Sequence, residues 1–275
     1  KTQVKQIKMK REKITIIGGG NIGTAIAEGL KLSGRFKPSD IILTKRDLSK
    51  AQNIKMLGCK VSNDNKAAVR KADFVILAVQ PKQVSSILKE IATELNPKQI
   101  LISVVSGVSS AEMQEIIGEK ITLFRVMPNT AISIQQSMTC IASNNASKTD
   151  DRRVTELFNN LGEVVRIDEE LMASATVLGA CGIAYALRFI RAASQGGIEI
   201  GFDSDITQLI AAQTVKGAAS LLRSSGKHPE REIDKVTTPQ GCTIAGLNEM
   251  EHQGFSSALI KGLITSHNKI KDIAS

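Results

Sequence analysis

Hydrophobic positions fall into two regimes along the chain. From residue 13 to about 167, short continuous apolar runs alternate with longer amphipathic stretches: KITII (13–17), DIILTK (40–45), DFVILAV (73–79), QILISVV (99–105), TLFRVM (122–127), SMTCIA (137–142) and EVVRI (163–167). Runs this short, rich in Ile and Val, predict strands buried on both faces. TAIAEGLKLSG after the first run and residues 81–95 carry helical periodicity. Repeated strand–helix units predict an α/β fold with a Rossmann-type, parallel, doubly wound sheet. After residue 168 the strand signal vanishes. The remainder predicts helices broken at Gly196-Gly197, Gly226, Pro229, Pro239 and Gly254. The expected domains are a basic flexible arm (1–12), a nucleotide-binding α/β domain (13–167) and an all-helical domain (168–275).

Composition changes this picture little. With 42% apolar residues, no Trp and one Tyr, the 275-residue chain must build its cores from Ile, Leu, Val and Ala. The net charge of +9 invites a nucleic-acid reading, yet residues 1–13 hold six Lys/Arg against one Glu, more than half of that excess. We read the arm as a solvated tail and expect neither nucleic acid nor membrane as a partner. The apolar run 171–186 is short for a span and rich in Gly and Ala, which suits close helix packing. Cys59, Cys140, Cys181 and Cys242 form no C-x-x-C pair and have no His at zinc spacing, so a reduced cytoplasmic protein without a metal site is expected.

Gly18-Gly19-Gly20-Asn21-Ile22-Gly23 fits G-x-G-x-x-G, directly after the strand ending at Ile17 and at the mouth of a helix. In that context the first glycine permits a tight turn, the second a close approach of pyrophosphate, and the third close helix–strand packing. The next strand ends in Thr44-Lys45-Arg46 rather than in an acidic residue. Asp40 lies at its beginning, and Asp47 reads as a cap. Lys45, Arg46 and the Thr44 hydroxyl suit a 2′-phosphate, which favours NADPH, with NADH as the alternative. Later strand ends, Ala78-Val79-Gln80-Pro81 and Val104-Val105-Ser106-Gly107, should complete the cofactor crevice. Far along the chain, Pro239-Gln240-Gly241-Cys242-Thr243 predicts a turn feeding a helix, with backbone amides and hydroxyls exposed and no histidine or carboxylate pair.

Together, AVQP, SVVSGV, RVMPNTA, AAQTVKGAASLL and TTPQGCTIAGLNEMEHQGF resemble the pyrroline-5-carboxylate reductase family over about residues 13–273. The resemblance implies a Rossmann domain followed by an all-α dimerisation domain, with homodimers that often assemble into decamers. It implies NADPH-dependent reduction of a small cyclic imine acid, 1-pyrroline-5-carboxylate, to L-proline. Carried onto this chain, Ile17 to Ile22 would hold the pyrophosphate, Lys45 and Arg46 the 2′-phosphate, and Asn65 the ribose. Ala78, Val79, Gln80, Pro81, Val105 and Ser106 would line the nicotinamide side. Glu169, Gly241, Cys242 and Thr243 would bind substrate, with Thr243 as the catalytic group at the ring nitrogen.

Three positions depart from the family pattern: Gln240 replaces the first of two paired glycines, Gln80 replaces a lysine, and residues 179–185 lack a proline and two serines. These favour, as an alternative, a diverged reductase of another cyclic imine. A related hydroxyacid dehydrogenase would need a lysine in the first interface helix, and residues 171–187 contain none. A non-catalytic NADP-binding regulator is the reading from a different class.

Overall fold

The computed structural model describes residues 12–274. The expected basic arm over residues 1–11 lies outside them. Glu12, at its end, is tied down by Arg153 (3.0 Å) and Arg35 (3.8 Å).

Eight strands form one sheet: β1 (Ile14–Ile17), β2 (Ile41–Thr44), β3 (Lys60–Ser62), β4 (Phe74–Leu77), β5 (Ile100–Ser103), β6 (Thr122–Met127), β7 (Ser137–Ala142) and β8 (Gly162–Arg166). Their order is β3-β2-β1-β4-β5-β6-β7-β8. Pairing is parallel except between β6 and β7, so β7 and β8 run opposite to the rest and the sheet is mixed. Around it lie α1 (Asn21–Leu32), α2 (Gln52–Met56), α3 (Asn65–Val69), α4 (Val84–Ile91), α5 (Ser110–Ile117) and α6 (Lys148–Asn159). The fully buried strands β1, β4 and β5 serve two cores at once. Ile14, Ile16 and Phe74 face one apolar cluster; Ile17, Val75 and Leu77 face the other. Alternation across the pleat sends neighbours to opposite layers, so covering both faces calls for nearly unbroken apolar runs; the polar exception in β1, Thr15, is buried with its hydroxyl donating to the Ala68 carbonyl (2.9 Å).

The strand β3 was absent from the apolar runs because it is only three residues long, KVS, at the edge of the sheet. On the face packed by α1, Gly29 sits so close to the turn over Thr130–Ile134 that a Cβ would lie 2.2 Å from the Ile132 carbonyl oxygen.

Beyond the sheet come α7 (Met172–Ala175), a π-turn over Thr176–Cys181, α8 (Gly182–Glu199), α9 (Ser204–Ser225), α10 (Pro229–Asp234), α11 (Cys242–His252) and α12 (Phe255–Ala274). A compact-unit boundary falls between Cys181 and Gly182, so the segment 168–181 groups with the sheet, and the second unit is Gly182–Asn268.

The expected break at Gly196-Gly197 does not occur: α8 runs through both and ends before Gly201 (φ +105°). Gly197 instead makes room for α9, since a Cβ there would lie 2.6 Å from Thr207 Cγ2. The other expected punctuation holds. Gly226 (φ +60°) caps α9, Pro229 opens α10, and Gly254 (φ +81°) separates α11 from α12. Residues Glu169–Glu199 are long and apolar enough to cross a membrane by length and composition, although the run 171–186 had read as too short. Their interruption by Arg188 and Arg191 and their small residues suit a helix packed on other helices.

Gly29→Ala should be costly, because backbone rather than a flexible side chain occupies the space. We expect a loss of about 2 kcal/mol and a Tm lowered by roughly 4–8 °C, read by calorimetry.

Candidate active site

The β1–α1 turn is fixed by backbone contacts. The amides of Gly18 and Gly19 both donate to the Thr44 carbonyl (3.2 and 2.9 Å), tying the end of β1 to the end of β2. Gly18 has φ +111°, and a Cβ on it would lie 2.2 Å from the Ala78 carbonyl oxygen; one on Gly23 would lie 2.0 Å from the Gly18 carbonyl oxygen. Gly20 is different. It is the N-cap of α1, and a Cβ on it would meet nothing within 4 Å. No side chain caps this helix and its first turn holds no acid, so the N–H groups of Asn21, Ile22 and Gly23 open onto that space. A tight turn, close packing and one open glycine beside free amides fit a dinucleotide pyrophosphate.

The other expected cofactor residues gather at the same carboxyl edge of the sheet. Lys45 Nζ donates to the Gly19 carbonyl (3.0 Å), which brings its charge to the glycine turn, and Arg46 is exposed beside it. Thr44, however, is only 3% exposed, so its hydroxyl is unavailable to a 2′-phosphate and its contribution is the carbonyl above. Asp47 caps the turn after β2; hydrogen bonds from the Ser49 hydroxyl and amide hold its carboxyl below the ordinary range. Asp40 sits ahead of β2, away from the crevice. Asn65 opens α3 and donates its amide to Glu90 (3.1 Å). Beyond β4, Ala78 is buried, Val79 half-buried and Gln80 exposed, with Pro81 opening a short turn. Beyond β5, Val105 is buried, Ser106 is half-buried, and Gly107 turns at φ +76°.

Glu169 occupies a second polar cluster in the same unit. Its Oε1 accepts from the Ser110 amide (2.7 Å) and from Arg125 Nη1 (3.2 Å), and its Oε2 from Asn144 Nδ2 (2.8 Å). Burial pushes this carboxyl up, but the Ser110 hydrogen bonds and the Arg125 charge outweigh it and leave the group below its ordinary value. Three of the acceptor positions of Glu169 are thus filled within the unit, and the one left, on Oε2, lies beside the cavity described next. Arg125 was missed, although a lone arginine inside the apolar run TLFRVM signals a buried cation awaiting a partner. Beside this pair is a cavity of about 1000 Å³ lined by Ser109, Arg125, Asn144, Arg166, Asp168 and Glu170, among others.

In the helical unit, the Gly241 amide donates to the Thr238 carbonyl (2.9 Å), closing a turn with Pro239 and Gln240 at its centre. Gln240 has φ +58°, the left-handed region that a type II turn requires at that position and that glycine fills without strain. A glutamine there costs about 1 kcal/mol. Gly241 is sterically required, since a Cβ would lie 2.5 Å from Thr238 Oγ1. It also caps α11 without a side-chain hydrogen bond, which leaves the amides of Cys242, Thr243 and Ile244 free of intrahelical partners. Cys242 and Thr243 are exposed. The Thr243 hydroxyl caps nothing and has no hydrogen-bond partner among the described residues, so it is free for a ligand. The altered stretch 179–185 forms the end of the π-turn and the start of α8. There the Gly179 carbonyl accepts from Asn129 Nδ2 (3.1 Å), and Tyr185 pairs with Ser266 (2.6 Å). His228 caps α10.

Because its folded-state pKa is depressed, Glu169 adds stability that is complete above the ordinary carboxylate range and is lost as pH falls through the lower folded value. Glu169→Gln should destabilise by about 2 kcal/mol near pH 7. The gap from wild type should close as melting is repeated toward pH 3, and a gap independent of pH would contradict the assignment.

Comparison with known proteins finds matches in both the sheet unit and the helical unit. Residues 169–273 match the family model for pyrroline-5-carboxylate reductase dimerisation, and residues 13–107 match one described as NADP oxidoreductase coenzyme F420-dependent. Pyrroline-5-carboxylate reductase 1 of Dictyostelium discoideum is 47% identical over 93% of this chain, which spans only 49% of that protein. Pyrroline-5-carboxylate reductase 2 of the same organism is 43% identical over 93% of this chain and 91% of its own. The crystal structure of Plasmodium falciparum pyrroline carboxylate reductase with NADP bound superposes with a TM-score of 0.89 at 26% identity, covering 97% of this chain and all of that one. This chain belongs to the pyrroline-5-carboxylate reductase family.

Proposed function

We propose that the protein reduces 1-pyrroline-5-carboxylate to L-proline with NADPH. The observation that carries the reading is the turn over Thr238–Gly241, which delivers an uncapped helix N-terminus and a free threonine hydroxyl, with no histidine or carboxylate in the turn. Such a site suits a reaction that needs orientation more than proton transfer. A protonated cyclic imine is already electrophilic at C5. NADPH, when bound, supplies the hydride.

The chain's own residues do the placing. The free amides of Cys242, Thr243 and Ile244 bind the substrate carboxylate, favoured by the positive end of the α11 dipole. The Thr243 hydroxyl meets the ring nitrogen and holds its proton as iminium becomes amine. Gly18 to Ile22 seat the pyrophosphate, and Lys45 and Arg46 face the 2′-phosphate. Asn65 faces the ribose, and Ala78 to Pro81 with Val105 and Ser106 flank the nicotinamide. Orientation of the bound substrate supplies most of the rate enhancement. Glu169 acts at one remove, by bracing Arg125 and the start of α5.

A homodimer is the working unit, consistent with the dimerisation model over 169–273. A reducing compartment, such as the cytoplasm, suits four free cysteines. Reduction of a different cyclic imine is the second reading, favoured by Gln240, whose side chain stands in the substrate turn.

NADPH oxidation measured with 1-pyrroline-5-carboxylate beside a panel of other cyclic imines decides between the two. The first should be the best substrate, and NADPH should exceed NADH in kcat/KM. Thr243→Val should lower kcat about 100-fold while leaving NADPH affinity unchanged; unchanged turnover would remove Thr243 from the mechanism. Gly20→Ala should fold normally, since its Cβ meets no protein atom, yet weaken NADPH binding at least ~10-fold by titration.

A further inference from the structure

We infer that Glu90 is a positioning residue for the cofactor, which fixes the Asn65 carboxamide so that its Oδ1 accepts from a ribose hydroxyl. This presupposes Asn65 at the ribose, as proposed above, and adds which of its atoms makes the contact and what turns it there. Asn65 Nδ2 donates to Glu90 Oε2 (3.1 Å), from α3 across to α4. A carboxamide carries donors at one end and an acceptor at the other, in groups of nearly equal shape. An ionised carboxylate only accepts, so it takes the NH2 end and turns Oδ1 away from itself. That Oδ1 has no hydrogen-bond partner among the described residues. Holding the side chain in one rotamer before the cofactor arrives also spares the cost of ordering it on binding.

The backbone brings this end of α3 to the cofactor edge. The Lys45 amide donates to the Ser62 carbonyl (2.9 Å), and Lys45 Nζ donates to the Gly19 carbonyl (3.0 Å), so the end of β3 is joined through Lys45 to the glycine turn. Asn65 follows shortly after Ser62 and is half-buried. It is not needed as the helix cap, because Asp64 Oδ1 accepts from the Ala67 amide (2.9 Å).

Nor is the bond to Glu90 needed to hold α3. The Thr15 hydroxyl donates to the Ala68 carbonyl (2.9 Å), and Gln99 Nε2 donates to the carbonyls of Val69 and Ala72 (2.7 and 2.8 Å), all in buried positions. Arg70 pairs with Glu94 (2.6 Å). None of these ties involves Glu90. The one distinctive effect left to the Asn65–Glu90 bond is the orientation of the carboxamide. Glu90 offers an anionic cofactor no direct benefit, since its own charge repels phosphate. Positioning and charge therefore predict opposite signs when Glu90 is removed.

The test is NADPH titration of the full chain by cofactor fluorescence, beside steady-state kinetics and melting curves. Glu90→Ala should weaken NADPH binding about 5-fold and raise the NADPH KM to match, with kcat and Tm unchanged. Equal or tighter binding would overturn the inference, because only the charge of Glu90 would then be felt. Asn65→Ala should weaken NADPH about 10-fold, and Glu90→Ala added to it should cost nothing more, since Glu90 acts through Asn65. Additive losses in the double variant would also overturn the inference, by giving Glu90 a separate role. If Asn65→Ala leaves NADPH binding intact, the placement of Asn65 at the ribose falls and Glu90 falls with it. If Asn65→Ala weakens binding and Glu90→Ala does not, only the role of Glu90 falls.

Discussion

The backbone apposition at the β1–α1 turn is the constraint on which the cofactor side of the molecule rests. The positions a Cβ would take at Gly18 and Gly23 are filled by carbonyl oxygens, from Ala78 and from Gly18 itself. The turn amides meanwhile hold the end of β2 through Thr44. Three strand ends and one helix axis are thereby fixed relative to each other by atoms that cannot change rotamer. Side chains set at those strand ends inherit that precision, including Lys45 on the Gly19 carbonyl. A site that works by orientation requires a scaffold of this stiffness, because displacement of about 1 Å can cost two orders of magnitude in rate.

Polar groups in the molecule divide by whether their hydrogen bonds are already made. Glu169, which the family resemblance places at the substrate, already accepts from Ser110, Arg125 and Asn144. The Thr243 hydroxyl, by contrast, caps nothing, and the amides beside it lack partners. Residue type alone could not separate these two. Hydrogen-bond accounting distinguishes them, since a group left open at the protein surface has more capacity for a ligand than one already bonded within the protein.

The strands were legible because a sheet covered on both faces needs unbroken apolar runs, and the glycine turn because its roles depend on local spacing. What escaped had a physical reason in each case. The strand β3 is too short and too exposed to imprint a pattern. The reversal at β7 depends on the short turn over Thr130–Ile134, whose sequence resembles any other loop. Gly196-Gly197 reads as a break because glycine weakens helices, but α9 packs on Gly197 through Thr207 and compensates for that weakness. The strain at Gln240 did not follow from sequence, because Pro at the preceding position fits both type I and type II turns and only the φ of +58° selects type II.

The helical unit makes one further demand on the chain. Its helices α8, α10 and α11 bury no residue, while Leu187, Ile198, Leu209, Leu221 and Ile260 stand half or more exposed. Gly196, Gly217, Gly246 and Gly262 lie inside helices, where each costs up to about 1 kcal/mol relative to alanine. A Cβ on any of them would meet nothing within 4 Å of this chain. No contact among the described residues accounts for those glycines or for the exposed apolar surface. Close approach by helices of a second copy accounts for both, as the match to a dimerisation domain requires. The helical unit therefore gains much of its core only on association. Its stability is then a function of protein concentration, and the precision of the Thr243 site is in part a property of the oligomer.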